Sequence, residues 1–494
     1  MSEQNKSFRQ IFKATTIFGG VQVFQIIISI VRSKIIAVLL GPAGMGIAGL
    51  LASTIALISG FTNFGLATSA VKNIAAAHAS EDSEEISLVI SVFRRLVWFT
   101  GLLGATVTVV LSPWLSELTF GNRNYTLAFV WISITLLLNQ LSSGRGVLLQ
   151  AMRQLQYQAK ASLLGALLGL MISAPIYYFW RVDGIVPSII ITSILSLLLE
   201  WYYSSKTKIR QVAVDFRTVL HEGRDMVKMG FVLSISGLIT TIGTYVVRVF
   251  LNANGGVAEV GLYNAGFSII NTYVGLVFAA MGTDYYPRLS GIAHDRDKSN
   301  ELINQQAEVS ILILSPILSV FIVFINLVIV VLYSGKFLPI SSMIQWAAIG
   351  MYFKAVSWSI AFIFVAKGES GLFFWNELLA NVYSIVINII GYKLGGLQGM
   401  GISFLVSYML YLLQVYLLAT NRFGFLFTGD FVKVFLIEFL FCICCFMLVR
   451  TVQGLWLYVF AVPLMIVIIA YSVYQIDKRI GIRDLLEKVV LKKR

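Results

Sequence analysis

Long apolar stretches separated by short polar ones fill almost the whole chain. Fourteen of them come near the roughly 20 residues that a helix needs to cross a bilayer. They predict transmembrane helices at about 11–40, 45–77, 86–112, 125–150, 159–181, 185–204, 228–251, 257–289, 302–333, 340–366, 371–394, 397–420, 429–450 and 454–476. The pattern predicts an all-α polytopic membrane protein with about fourteen transmembrane helices.

Composition supports this class. Hydrophobic residues make up 58% of the 494 and charged residues only 12%, with a mean hydropathy of +0.83, whereas soluble domains carry about 25% charged residues. The net charge is +13, but no long basic soluble domain is present that could hold a nucleic acid. We therefore expect no nucleic-acid partner and attribute the charge to loops and to anionic lipid head groups. We also expect no metal site and no cofactor, since the three cysteines lack the spacing of a zinc site.

The distribution of Lys and Arg predicts the orientation. These residues collect at the two ends of the chain and in the even-numbered loops, and cytoplasmic loops carry the excess of positive charge. We therefore predict that both termini are cytoplasmic. The first apolar segment is too long for the core of a cleavable signal peptide, so we interpret it as a retained first helix.

The chain repeats itself at a constant shift. Between positions 32 and 85, five of eight charged or His positions recur with the same character, namely Arg32 at Arg248, Lys72 at Arg288, His78 at His294, Glu81 at Asp297 and Glu85 at Glu301. Other landmarks agree to within one or two residues. Each copy spans six helices, an even number, so both copies enter the membrane in the same direction. Substrate sites of parallel repeats tend to lie between the halves.

This duplication predicts the domain organisation. We expect an N-terminal six-helix bundle at 1–204, a cytoplasmic amphipathic linker at 205–227 that lies on the membrane surface, a C-terminal six-helix bundle at 228–421, an extra helix pair at 429–476 and a basic cytoplasmic tail at 477–494. The extra pair has no counterpart in the repeat. We expect it to pack outside one half or to form a groove for lipid.

Several basic residues fall inside or at the ends of the apolar segments, where a charge costs about 2.5–3.5 kcal/mol at the helix centre. Lys34, Lys72 and Arg288 can reach an interface with their long stems, so cavity and interface are equal alternatives for them. Arg32 and Lys354 are deeper and favour a cavity. The candidate substrate-binding set runs from the outer to the inner leaflet and comprises Arg32, Lys34, Arg248, Lys354, Arg145, Lys72 and Arg288.

Cations along a low-dielectric wall attract an anion, and the guanidinium group of Arg suits phosphate oxygens through paired hydrogen bonds. The substrate is therefore expected to carry a concentrated negative charge, such as phosphate or pyrophosphate.

The carboxylates at membrane depth are few, namely Asp284, Glu377 and Glu438. Asp284 precedes Arg288 by four residues, the favourable spacing for an ion pair on one helix face, and a structural ion pair is the first interpretation. Coupling to H⁺ or Na⁺ through Asp284 or Glu377 is the alternative. Glu377 falls near the inner boundary, where plain contact with water would also explain it.

Three short stretches carry a resemblance to a known family. GPAGMG at 41–46, VGLYNA at 260–265 and DYYPRL at 284–289 resemble bacterial polysaccharide flippases, the O-antigen translocases of the multidrug, oligosaccharidyl-lipid and polysaccharide exporter superfamily. The resemblance implies an inner-membrane protein with two six-helix bundles in a V. It also implies that polyprenyl-pyrophosphate-linked oligosaccharide moves to the outer leaflet by alternating access. Arg32 and Arg248 match the family's basic cavity positions, and the extra pair resembles the lipid-groove helices of fourteen-helix relatives.

We therefore hypothesise a flippase for an undecaprenyl-pyrophosphate-linked oligosaccharide of O-antigen or lipopolysaccharide type. Lys72, Arg288 and Arg145 would hold the pyrophosphate on the inner side, and Lys354 would pass it to Arg32 and Arg248. One alternative is an ion-coupled multidrug exporter of the same superfamily, whose cationic drugs need carboxylates in the cavity. A membrane glycan-modifying enzyme would need larger loops, and a scaffold for other glycan-assembly membrane proteins would not transport.

Overall fold

The computed structural model describes residues 3–79, 82–207, 212 and 214–480. These residues form helices joined by short connections, and none of them lies in a β-strand. The helices are α1 (Glu3–Leu39), α2 (Gly41–Thr62), α3 (Leu66–Ala79), α4 (Ser83–Phe120), α5 (Thr126–Ala151), α6 (Leu155–Trp180), α7 (Ile185–Ser204), α8 (Phe216–Ser268), α9 (Gly275–Ile292), α10 (Arg296–Leu332), α11 (Ser341–Ala366), α12 (Ser370–Phe423), α13 (Gly429–Thr451) and α14 (Leu455–Ile480). A π-helical turn, Ile269–Val274, joins α8 to α9.

The described helices include eleven stretches that are long and apolar enough to cross a membrane. Three of them run for 50, 55 and 54 residues, about twice the length of one crossing. Each of these is interrupted, at Arg181, at Gly256 and at Gly395–Gly396 respectively. The first and third each contain two of the fourteen predicted segments, and the second contains the seventh segment and the first part of the eighth. The all-α polytopic membrane fold is confirmed. One difference is that the second predicted segment is two helices, α2 and α3, because Phe64 and Gly65 both have a positive φ.

The chain divides into two compact units, Met1–Gly261 with Leu332–Ser334, and Leu262–Val331 with Gly335–Arg494. The division falls after the seventh predicted helix and not before it. A close contact within the first unit explains why. A Cβ placed on Gly230 of α8 would lie only 2.5 Å from the carbonyl oxygen of Phe64, so the first part of α8 packs tightly on the turn between α2 and α3.

Part of the predicted surface linker packs into the first unit. Val214, Val219 and Met226 are buried in the same apolar cluster as Phe93 and Leu96 of α4. Val212 and Leu220 are exposed, and the second half of the segment is already the start of α8. Residues 208–211 and 213 of the linker, and residues 481–494 of the basic tail, lie outside the described residues.

The duplication is visible in the backbone as well as in the charges. Three residues of the first copy with a positive φ have counterparts that also have a positive φ in the second copy, at a shift one residue shorter than that of the charges. The pairs are Gly41 (φ 68°) with Gly256 (φ 79°), Arg153 (φ 56°) with Gly368 (φ 75°), and Arg181 (φ 50°) with Gly396 (φ 55°). Few non-glycine residues adopt this conformation, so the recurrence is strong support for two copies of one fold.

Two glycines at equivalent positions of the repeat make a reciprocal contact inside the first unit. A Cβ on Gly46 would lie 1.9 Å from the carbonyl oxygen of Val257, and a Cβ on Gly261 would lie 1.8 Å from that of Pro42. Pro42 and Val257 are themselves equivalent, since the same shift relates them as relates the two glycines. The start of α2 thus meets α8 with the symmetry expected of two related copies, at a distance that only glycine allows.

The extra helices α13 and α14 attach to α10 and α11 through polar groups. Glu438 of α13 is fully buried and accepts hydrogen bonds from Ser315 of α10 at 2.6 Å and Ser472 of α14 at 2.7 Å. The hydroxyl of Tyr352 on α11 donates to Ser315 at 2.8 Å. One carboxylate therefore connects three helices directly and reaches a fourth through a serine, since buried charged groups need such partners.

Candidate functional site

Lys354 lies near the middle of α11, as the sequence predicts, and four aromatic rings surround its ammonium group. Nζ donates a hydrogen bond of 3.4 Å to Oδ1 of Asn271. The ring centroids are 5.3–5.9 Å from Nζ and belong to Phe278, Trp358, Phe404 and Tyr408. Helices α9, α11 and α12 and the π-helical turn each contribute to this arrangement, which we call the Lys354 cage.

The cage stabilises a cation without neutralising it. Aromatic faces within about 6 Å attract an ammonium group through their electron-rich surfaces, and the amide oxygen of Asn271 adds a neutral acceptor. Among the described residues, no carboxylate forms an ion pair with Lys354. Its positive charge is therefore not neutralised by these residues. An anionic group that reaches the half-buried side chain would be attracted to it.

Glu377 lies near the start of α12 within a hydrogen-bond network. Its Oε1 accepts from the hydroxyl of Tyr411 at 2.5 Å and from the amide of Asn376 at 3.3 Å. Gln414 holds Asn376 in turn through a bond of 2.8 Å. The carboxylate is half-buried, so contact with water alone does not describe its surroundings. All of its donors in this network are neutral, which leaves room for a proton or a monovalent cation as the balancing charge.

Asp284 and Arg288 form the ion pair that their spacing predicts. Nη1 of Arg288 is 3.3 Å from Oδ2 of Asp284, and both side chains are exposed. Each charge is balanced locally, which makes Arg288 a weaker anion ligand, and Asp284 a weaker cation ligand, than either would be alone.

Lys34 and Arg32 lie on different faces of α1. Lys34 lines an apolar groove of about 570 Å³ between α1 and α6, together with Val38, Pro175 and Phe179. Two residues correspond to about 200° of rotation around a helix, and Arg32 does not line this groove. An apolar, lipid-like lining favours the interface interpretation for Lys34, while Arg32 stays a candidate for the cavity.

Arg145 of α5 is half-buried, and its neighbour is Arg94 of α4 rather than an acid. The Nε atom of Arg94 is buried and has no hydrogen-bond partner. Two adjacent guanidinium groups repel each other and favour an anion between or beside them. The sequence interpretation missed Arg94, although an Arg-Arg pair inside the third apolar segment was a visible signal.

Lys72 and Arg248 complete the predicted set. Lys72 is exposed on α3, one turn beyond Thr68, and Arg248 is half-buried on α8. The structure therefore assigns Arg32, Lys34, Lys72, Arg145 and Arg248 to the first compact unit, and Asp284, Arg288, Lys354 and Glu377 to the second.

A polar cavity that the sequence interpretation missed lies beside Lys72. Its volume is about 470 Å³, and α3, α5, α6 and α7 line it with Thr68, Ser142, Ser143, Gln158 and Glu200 among others. Glu200 ends an apolar segment next to Trp201, so its position in the sequence does not mark it as a cavity residue. Among the described residues, no three His, Cys, Asp or Glu side chains gather into a metal site.

The fold and its charges define a multi-pass helical membrane protein with polar sites inside its helix packing. Residues 11–293, more than half of the chain, match the family described as "Polysaccharide biosynthesis protein". The chain belongs to this family. The resemblance to polysaccharide flippases, drawn from three short stretches of sequence, is thereby confirmed.

Relatives and solved structures agree with this family. The chain is 20% identical to the lipid III flippase of Escherichia coli (strain K12) over 346 residues, which are 68% of this chain and 80% of that protein. The fold is similar to that of the lipid II flippase MurJ in an inward-closed conformation, with a TM-score of 0.73 at 13% identity over 96% of this chain and 100% of MurJ. An inward-facing multidrug resistance MATE family transporter of the MOP superfamily gives 0.67 at 15% identity over 81% and 94%.

Proposed function

We propose that this protein is a flippase that moves an undecaprenyl-pyrophosphate-linked oligosaccharide from the cytoplasmic to the outer leaflet of a bacterial inner membrane. Family membership and the similarity to a lipid III flippase support a lipid-linked oligosaccharide as the substrate. A surface polysaccharide repeat unit of O-antigen or lipopolysaccharide type is the glycan we expect. Both termini are cytoplasmic in this proposal, and the protein is a transporter and not an enzyme.

The Lys354 cage is the observation that carries the proposal. A pyrophosphate presents several negative oxygens, and hydrogen bonds between charged partners are about twice as strong as neutral ones. The surrounding rings of Trp358 and Tyr408 suit the C–H faces of sugar rings. One site near the middle of α11 thus offers a partner for each half of the head group, and alternating access would expose it to each side in turn.

Glu377 is the better of the two predicted coupling residues. Its donors are neutral, whereas Asp284 is balanced by Arg288. In our proposal Glu377 binds H⁺ or Na⁺, and this binding changes the packing of α12 through Tyr411. Interaction with other glycan-assembly membrane proteins belongs to the proposal only as a way of delivering substrate.

An ion-coupled multidrug exporter is the second candidate, and the similarity to a MATE family transporter favours it. The Lys354 cage argues against it, because a cationic drug would meet a cation at the centre of the second unit. Resistance to cationic drugs on expression, without any effect on surface glycan, would favour the exporter.

The direct test is glycan display in a host that lacks its own flippase for the same glycan. Lys354→Ala removes a charged hydrogen-bond partner worth about 1.5–3 kcal/mol, so we expect display to fall by roughly 10- to 150-fold. Lys354→Arg keeps the charge and should retain part of the activity. Lys336→Ala, at an exposed lysine in the turn before α11, is the matched control. Full display by Lys354→Ala at equal protein level would refute the proposed site.

A further inference from the structure

The polar cavity of the first unit contains acceptors that lack donors. Glu200 is only 8% exposed, and its Oε2 atom is buried without a hydrogen-bond partner. The Oε1 atom of Gln158, also lining the cavity, is in the same state. A buried polar atom without a partner has lost its hydration and gained nothing in return, which is costly. Both side chains line the cavity, so a small rotation of either group would offer its unpaired oxygen to a ligand with O–H or N–H groups.

The size and the remaining lining fit a small polar molecule. The volume of about 470 Å³ falls within the roughly 300–1,000 Å³ of small-molecule sites. Ser142 and Ser143 contribute hydroxyls, which can donate or accept. Gly146 keeps the space open, because a Cβ there would come within 3.8 Å of the Gln158 amide and 3.9 Å of the Glu200 carboxyl group.

An exposed cation follows the lining residues of α3 directly in the sequence. Thr68 and Val71 line it, and Lys72, four residues after Thr68, lies on the same face of α3 and is exposed. A ligand with a polar, donor-rich part and a neighbouring anionic part would place the first in the cavity and the second at Lys72.

We propose that this cavity binds a saccharide of the lipid-linked oligosaccharide, with Glu200 and Gln158 accepting hydrogen bonds from its hydroxyl or acetamido groups while Lys72 contacts the adjacent pyrophosphate. This inference rests on the proposed function and adds to it a place where the sugar is recognised. Such a site discriminates strongly, because a ligand without the matching donor leaves the buried oxygens unpaired.

A bound cation explains the cavity less well. Sodium or a divalent cation takes several oxygen ligands at short distances, and calcium takes six to eight at about 2.3–2.6 Å. Here a single carboxylate, together with amide and hydroxyl groups, lines a space far larger than an ion. The repeated fold can also form without these side chains. The second copy has Ala361, Phe373 and Val415 at the positions equivalent to Gly146, Gln158 and Glu200.

The test measures binding to the full-length protein in lipid nanodiscs. The probes are undecaprenyl diphosphate alone and undecaprenyl diphosphate that carries a single glucose, galactose, N-acetylglucosamine or N-acetylgalactosamine. We expect the wild type to bind at least one glycosylated probe roughly 10-fold more tightly than the bare lipid. Glu200→Gln, which keeps the shape, and Gly146→Leu, which fills the space, should each reduce this preference to less than about 2-fold. Their affinity for the bare lipid should stay unchanged.

Gly165→Leu is the matched control, since Gly165 lies on α6 outside the cavity and a Cβ there meets only the end of Leu199 at 3.7 Å. It should keep the preference. A wild type that binds the bare lipid without preferring any glycosylated probe would overturn the sugar site and leave the flippase proposal standing. If Glu200→Gln and Gly146→Leu both kept the preference for a glycosylated probe, the sugar site would also be refuted. A probe affinity that depends on sodium and that Glu200→Gln abolishes would refute it as well. Failure of the wild type to bind any of the lipids, or to restore glycan display, would refute the flippase proposal itself.

Discussion

The two copies of the repeat share a backbone and differ in chemistry. In the first copy, Glu200 and Gln158 line a polar cavity; in the second copy, Val415 and Phe373 take their places. In the second copy, Trp358 belongs to the Lys354 cage, and its counterpart in the first copy is Ser143 of the polar cavity. One copy therefore offers hydroxyls and acceptors, and the other offers a cation with aromatic rings.

The backbone itself has diverged much less. Arg153 and Arg181 keep a left-handed conformation where the second copy has Gly368 and Gly396. A non-glycine residue in this conformation costs about 1–2 kcal/mol, yet the turns persist. The helix breaks therefore recur in both copies, while the side chains inside the units differ.

The largest effect should come from the contact that the two copies share. Gly46→Ala or Gly261→Ala would push a Cβ into a backbone carbonyl oxygen at 1.8–1.9 Å, where no flexible side chain can yield. Overpacking costs about 1–3 kcal/mol and occasionally more, so we expect a loss of about 3 kcal/mol or more, or failure to accumulate in the membrane. Gly237→Ala, where a Cβ meets nothing within 4 Å, is the control. Equal thermal unfolding temperatures for these variants and the wild type would contradict the reciprocal contact.

A somewhat smaller loss should follow Glu438→Ala, which concerns the attachment of the extra helix pair that neither copy of the repeat contains. The substitution removes the acceptor of Ser315 and Ser472, and bonds to a charged group contribute about 1.5–3 kcal/mol. We expect the free energy of unfolding in a denaturant titration to fall by about 2–3 kcal/mol. Glu117→Ala, which breaks an exposed ion pair with Arg123, should change it little. A similar response to both would mean that Glu438 does not anchor α13 and α14.

Replacing a residue of the second copy by its counterpart from the first copy should give an effect of intermediate size. Trp358→Ser places the first-copy residue in the cage and removes one cation–π contact worth about 0.5–2 kcal/mol. Glycan display should fall by roughly 2- to 30-fold, with protein level unchanged. Phe362→Ser, at a ring that packs on Trp358 from outside the cage, is the comparison. A larger loss from Phe362→Ser than from Trp358→Ser would argue against the cage.

The smallest effect concerns the left-handed turns. Arg153→Gly relieves backbone strain of about 1–2 kcal/mol, but glycine costs roughly 0.5–1 kcal/mol in conformational entropy. We expect a net stabilisation of about 0.5 kcal/mol for this exposed residue. Gly368→Ala makes the opposite change at the equivalent position of the second copy and should destabilise the protein. Unfolding temperatures measured in one detergent would show the opposite signs, and a common sign would indicate that the two turns are not equivalent.

The general fold could be predicted from the sequence because apolar runs of membrane length permit few other structures. The details that could not be predicted depend on packing. The turn at Phe64 and Gly65 divides the second predicted segment into α2 and α3, and Val214 and Val219 of the linker pack in one cluster with Phe93 of α4. Tyr352, two residues before Lys354, faces Glu438 instead of the cage, because neighbours in a helix point in different directions. Glu200 and Gln158 were invisible as a pair, since only the fold brings α6 and α7 side by side.

The π-helical turn at Ile269–Val274 indicates how the two copies came to differ. The stretch from Gly261 to Arg288 in the second copy is one residue longer than its counterpart from Gly46 to Lys72 in the first. An added residue would rotate everything after it by about 100° in an α-helix, whereas a wider turn absorbs it locally. Asn271, the hydrogen-bond partner of Lys354, lies in that turn. A single inserted codon would therefore have been enough to give the second copy a polar contact that the first copy lacks, without disturbing the helices on either side.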